Sequence, residues 1–188
     1  MTDAADPPLR VDWIDVELLA DGRPGRLGLT FLPGKHGPSL RYPGRVYRRE
    51  LETDLASLAA AGVTGLVLLV DDDELDRWGD PAIVERGLAR GITVERRPIP
   101  DMQAPPSPAA MDSILSWIAA ARSRGDVAVA CMGGVGRTGT VAACAIVETG
   151  RTADEAIGHL RRIRHPTAVE TDAQVAFVHA YARRHRPA

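Results

Sequence analysis

Lysine is nearly missing from this chain: Lys35 stands alone among 23 lysines and arginines. A nucleotide loop of the GxxxxGK[ST] kind needs a lysine that the glycine-rich stretch after residue 131 does not have. Cysteine is scarce too, with Cys131 and Cys144 the only two. Without a secretory leader such thiols are expected to be free rather than paired. The segment Met1 to Leu9 is short, acidic and proline-containing, unlike a signal or transit peptide, so a cytoplasmic protein is expected. No long apolar run exists, since the longest, Gly62 to Val70, falls far short of the roughly 20 residues of a spanning helix. A net charge of −2 gives no electrostatic reason to expect nucleic acid or an anionic membrane as partner. The five histidines are scattered and show no Cys/His ligand spacing, so neither metal nor cofactor is expected.

What remains describes one globular domain of 188 residues. Val11, Trp13, Val16 and Leu18 alternate with polar residues before a turn at Asp21-Gly22. Leu27, Leu29 and Phe31 resume the alternation, which predicts a hairpin or a pair of short strands. Pro33 to Gly44 reads as a loop. Residues 1–32 are thus expected to form an N-terminal strand or hairpin extension to a core of residues 33–185.

From Glu50 the period becomes helical through Leu51, Leu55, Leu58 and Ala59, and Gly62 ends it. Gly65 to Val70 is uniformly apolar, as expected of a strand buried on both faces of a parallel sheet. Asp80-Pro81 predicts a helix start, Ile92 to Arg97 a strand, and Ser107-Pro108 another helix with Ile114, Leu115, Ile118 and Ala119 inward. Val127 to Ala130 reads as a short buried strand ending at Cys131, followed by a glycine-rich turn and a small-residue helix over 140–148. Thr152 and Glu155 form a capping box, and a last helix is expected over 170–184. Strands alternating with helices predict an α/β fold with a mostly parallel central sheet flanked by helices.

The informative stretch is Cys131-Met132-Gly133-Gly134-Val135-Gly136-Arg137-Thr138-Gly139. A strand would deliver the cysteine to the carboxyl edge of the sheet, where ligands of open α/β sheets bind. Three glycines let Met132, Gly133, Gly134, Val135 and Gly136 curl so that their N–H groups point inward as an anion nest. The following helix aims its positive end at the same place. Arg137 adds a planar fork suited to phosphate oxygens. Such surroundings favour a thiolate. The bland alternative is a buried strand-end cysteine, but it leaves the arginine and the glycines without a purpose. Cys144, in an alanine-rich helix, reads as core.

Cys131 to Gly139 resembles the C-x5-R signature loop of the protein tyrosine phosphatase superfamily. The resemblance runs from about Pro33 to Tyr181 and is strongest to the dual-specificity branch, in particular to kinase-associated phosphatases. It implies a cysteine-phosphatase-like fold and a phosphocysteine intermediate on Cys131, with Arg137 binding the phosphoryl group and Thr138 stabilising the thiolate. It also implies an acid thirty residues upstream of the cysteine, where Asp101 lies in Pro98-Ile99-Pro100-Asp101. Asp71, Asp72 and Asp73 are alternative acids, though a triple-acid run suits a helix start.

Gln174 matches the family's water-positioning glutamine, yet Thr171-x-x-Gln174 is equally a capping box. Ala130 departs from the pattern, which has histidine there, and this keeps open a phospho-residue binding module of weak or absent activity. An arsenate-reductase-like redox enzyme would need a resolving thiol, for which Cys144 is badly placed. The implied substrate is a phosphorylated protein or peptide, with phosphotyrosine and phosphoserine/threonine both open. Arg41, Arg45, Arg48 and Arg49 could meet an acidic substrate, although so sparse a cluster reads first as a solvated face.

Overall fold

The computed structural model describes residues 6–39 and 41–185. Five strands form the central sheet: β1 (Asp12–Trp13), β2 (Leu27–Phe31), β5 (Val63–Leu68), β6 (Thr93–Arg96) and β7 (Asp126–Cys131). Their spatial order is β1-β2-β7-β5-β6. Only the β1–β2 pairing is antiparallel; β2–β7, β7–β5 and β5–β6 are parallel. This is the expected α/β architecture.

Two apolar layers follow from the two-residue alternation of strands. Val67, Leu69, Val127, Val129 and Cys131 face one core with Met111, Ile114, Val141, Ile146, Leu160 and Val178. Those partners come from α4 (Pro108–Arg122), α5 (Gly136–Glu148), α6 (Ala153–Ile163) and α7 (Asp172–Arg184). Leu66, Leu68, Val70, Ala128 and Ala130 face the other core with Leu51, Leu55, Leu58, Leu75 and Ile83. These belong to α1 (Leu51–Ala60), α2 (Asp72–Trp78) and α3 (Ile83–Ala89). The sheet is therefore covered on both sides, which explains the uninterrupted apolar character of β5 and β7.

Several expectations need correction. Val16 and Leu18 lie in a 3-10 turn over Val16–Leu19 rather than in a strand. The segment read as a loop contains β3 (His36–Pro38), paired with β4 (Val46–Arg48) in a separate two-stranded hairpin. Its Gly and Pro content hid a strand paired along one edge only, the position where proline is tolerated. The helix after Asp80-Pro81 begins only at Ile83. The helix after the glycine turn begins at Gly136, four residues earlier than its periodicity suggested. Its residues Gly136 to Val147 are all buried, so no polar face marks its start.

Candidate functional site

The parallel strands end along one edge of the sheet, and the turn from β7 into α5 lies there. Gly134 has φ +65°, and a Cβ on it would meet the Thr30 carbonyl oxygen at 2.2 Å. Only glycine lets the chain curl this tightly against β2. The curl brings the Gly134 N–H to 3.2 Å from Cys131 Sγ. Burial alone would push the Cys131 thiol up. The Arg137 guanidinium, the Thr138 hydroxyl and the N–H groups of Thr138 and Val135 outweigh that and hold it below its ordinary value. Those amides are among the orphan donors of the α5 N-terminus. The Thr138 hydroxyl is fully buried and, the sulfur apart, has no hydrogen-bond partner.

Arg137 is held from behind. Glu74 accepts from Nη1 at 2.6 Å and from Nη2 at 2.7 Å, and the Ile99 carbonyl accepts from Nη1 at 2.9 Å. Glu74 caps the first turn of α2, where Asp71 and Glu74 form a capping box. The acidic run after β5 thus serves the site through a residue the sequence reading passed over. The signal was present in Asp71-x-x-Glu74 directly after a buried strand. Asp72, in contrast, points outward to Arg96, and Asp71 is spent as the cap.

Asp101 reaches the site. One of its carboxylate oxygens is 2.9 Å from Arg137 Nη2, while its side chain keeps 55% exposure. The loop bearing it is anchored on one side by the Ile99 N–H donating to Leu69 O at 3.0 Å. On the other side Thr171 Oγ1 donates to Met102 O at 3.2 Å and Gln174 Nε2 to Gln103 O at 3.0 Å. Gln174 is fully buried, and its Oε1 accepts from the N–H groups of Glu170 and Thr171. The capping box with Thr171 is formed, and the same side chain lines the cavity over Cys131.

That cavity measures about 660 Å³ and has Cys131, Met132, Gly133, Val135, Gly136 and Arg137 at its base. The loop's outward carbonyls are tied down by cations. Arg164 donates to Gly134 O at 2.8 Å and Gly133 O at 3.2 Å, and Lys35 Nζ donates to Met132 O at 3.2 Å. Arg164 is itself fixed by Asp12 at 2.7 Å. Ala130, by contrast, is enclosed in the apolar core beneath α1. Cys144 is buried within α5, and burial pushes its thiol up.

The basic cluster read from sequence is divided by the fold. Arg49 is 7% exposed and bound to Asp54 at 2.6 Å, so it belongs to the interior. Arg41 pairs with Glu170, while Arg45 lies against the Tyr47 ring at the cavity wall. Among the described residues no helix is long and apolar enough to cross a membrane.

A parallel sheet delivering a cysteine into a glycine cradle ahead of an arginine defines a member of the dual-specificity branch of the protein tyrosine phosphatase superfamily. The family model described as "Polymorphic toxin system, DSP-PTPase phosphatase" matches residues 44–151, and the chain belongs to that family. Cyclin-dependent kinase inhibitor 3 of Rattus norvegicus is 23% identical over 181 residues, spanning 95% of this chain and 81% of that one. The crystal structure of kinase associated phosphatase superposes with a TM-score of 0.82 at 22% identity, over 96% of this chain and 97% of that one. Tk-PTP in its active form gives a TM-score of 0.68 at 30% identity, over 92% of this chain and 97% of that one.

Proposed function

We propose that this phosphatase hydrolyses phosphorylated proteins by way of a phosphocysteine formed on Cys131. The observation that carries the reading is the convergence of Cys131, the inward N–H groups and Arg137 on one point, with Asp101 2.9 Å from the guanidinium.

The hydrogens of Arg137 support an order of events. Nη1 gives both of its hydrogens to Glu74 and Ile99, and Nη2 gives one to Glu74 and one to Asp101. Nε has no acceptor among the described residues. A bound phosphoryl group would take Nε and displace Asp101 from the outward hydrogen of Nη2, a bidentate grip of the kind arginine favours. Asp101, released from the guanidinium, is then beside the ester oxygen.

Freed of its ion pair, the Asp101 carboxylate takes the proton of the monoanionic phosphate ester. The Cys131 thiolate attacks phosphorus, the P–O ester bond breaks, and that carboxyl proton passes to the leaving oxygen. In the second half water attacks the phosphocysteine and gives its proton to the Asp101 carboxylate. The S–P bond breaks, and the thiolate is received by Thr138 and the loop amides. Gln174 keeps one Nε2 hydrogen beyond that given to Gln103, enough to orient that water.

A binding module is the competing reading, and it rests on Ala130. Lys35 and Arg164 hold the loop carbonyls from outside, which removes the need for a histidine to support it. The test is hydrolysis of para-nitrophenyl phosphate between pH 5 and 8 with chelator present, in wild type and Cys131→Ser. Turnover in wild type that vanishes in the variant is expected. A folded wild type that binds vanadate without turnover would establish the binding module instead.

A further inference from the structure

The cations around the cavity are mostly neutralised. Arg137 has Glu74 and Asp101, Arg164 and Arg10 share Asp12, and Arg41 has Glu170. Lys35 and Arg45 are different. Both lie against one aromatic ring, with Lys35 Nζ 4.2 Å and the Arg45 guanidinium 4.7 Å from the Tyr47 centroid. Neither has a carboxylate partner among the described residues. Lys35 is only 7% exposed, and its ammonium donates to one neutral carbonyl, Met132 O. The Cys131 thiolate is the one opposite charge acting on it and only partly offsets the cost of its burial, so an incoming anion would be favoured there. Three hydrogens on Nζ and one acceptor leave donors to spare.

Both residues border the cavity that holds Cys131 at its base. At about 660 Å³ it has the size of a site for a drug-sized ligand, so it extends well past the phosphate cradle. Phe31, Tyr42 and Trp78 give its walls aromatic faces, and Tyr42 and Arg45 lie at the exposed rim. The hairpin of β3 and β4 carries this wall, with Gly37 opposite Tyr47 in its register. The cradle itself holds no extra cation, because Met132 to Gly136 are uncharged.

We infer that Lys35 and Arg45, braced on Tyr47, form a second anion subsite that selects phosphopeptides carrying an acidic side chain beside the phosphoresidue. The inference rests on the phosphatase reading above and deepens it. The phosphoryl group fills the cradle, and the neighbouring carboxylate takes the charge position on the hairpin wall.

The test uses pairs of peptides that differ only in having Glu or Gln on both sides of the phosphoresidue, on phosphotyrosine and phosphothreonine backbones, at 0.15 M salt. The readout is the ratio of kcat/KM for the Glu peptide to that for the Gln peptide, which cancels any general loss of activity. Wild type should favour Glu by about tenfold, the size of one charge-assisted hydrogen bond. Arg45→Gln and Lys35→Met should each bring the ratio below about threefold on the same reasoning.

The same peptides are titrated calorimetrically into Cys131→Ser protein, with and without Arg45→Gln. Binding that favours Glu and loses the preference with Arg45→Gln, while folded wild type turns over neither peptide, upholds the subsite and sinks the phosphatase reading. Turnover with a ratio near one in wild type sinks the subsite alone. A preference that survives both substitutions puts the acid recognition elsewhere and overturns the inference. Inositol bisphosphate displacing the Glu peptide more than tenfold better than the reverse would overturn the peptide as ligand.

Discussion

Replacing Lys35 by methionine has a consequence for stability that can be worked through. Burial pulls the Lys35 ammonium down from about 10.5 to about 8; nearby Cys131 thiolate pulls it back up, and Arg45 and Arg41 push it further down. A displacement of that size is about 3 kcal/mol of preference for the neutral amine in the folded protein. At pH 7 the group is protonated in both folded and unfolded chains, so the cost is fully present. Between pH 8 and 10.5 the folded protein releases the proton first. The unfolded chain then binds more protons, and stability rises with pH.

By pH 10 wild type should have gained about 2.5 kcal/mol relative to Lys35→Met, with the remainder appearing above that pH. Urea unfolding followed by tryptophan fluorescence at pH 7, 8, 9 and 10 measures it. Both proteins should carry Cys131→Ser, which removes the thiolate that titrates together with Lys35. Because that thiolate raises Lys35, its loss can only enlarge the swing. Tyr181, pushed up by burial and its bond to Asp112, loses stability at high pH in both proteins and cancels in the difference. Two stability curves that run parallel from pH 7 to 10 would mean that Lys35 titrates like a solvated lysine. The argument that burial destabilises the Lys35 cation would then fail.

Other substitutions probe other joints of the site. Glu74→Gln keeps the shape behind Arg137 but removes the more buried of its two counter-charges. It should weaken vanadate binding and cost about 3 kcal/mol of stability, both readable by calorimetry and urea titration. Asp101→Ala should lower kcat by about 10²–10⁴-fold while vanadate affinity holds or improves, since the carboxylate that occupies Nη2 is gone. Loss of vanadate affinity in that variant would refute the displacement step. Ala130→His should not raise activity. The position is fully buried opposite Leu68 in the core that also holds Leu32 and Leu55, and overfilling it should cost about 1–3 kcal/mol. A faster enzyme of unchanged stability would show that the loop lacks support it could use.

How much of this was legible in the sequence depends on how local each feature is. The cradle was legible because strand, cysteine, glycines and arginine are consecutive, and each residue type has one mechanical role there. Asp101 was legible through a resemblance that fixes its spacing, and the Pro98–Asp101 backbone does bring it to Arg137. Glu74 was not, because its purpose is a contact with Arg137 across 63 positions of sequence. The run Asp71-Asp72-Asp73-Glu74 offers four carboxylates, and only the helix phase decides which one turns inward. Asp71 takes the cap, Asp72 turns to Arg96, and Glu74 is left on the face toward Arg137.

Lys35 was hidden for a different reason. A lone lysine in a Gly- and Pro-rich stretch reads as a solvated loop residue, and nothing nearby marks it as buried. It becomes buried because β3 folds back on β4 and brings Tyr47 over it, while β7 brings the Met132 carbonyl beneath it. The same folding sends Arg49 inward to Asp54 and leaves Arg45 at the rim, so a cluster uniform in sequence serves two ends. Ala130 follows this logic as well. The resemblance marks it as a missing support, yet support for a loop can come from either side of it. Here Arg164, steadied by Asp12, and Lys35 hold the loop's outer carbonyls, so the small residue beneath is free to serve the apolar core.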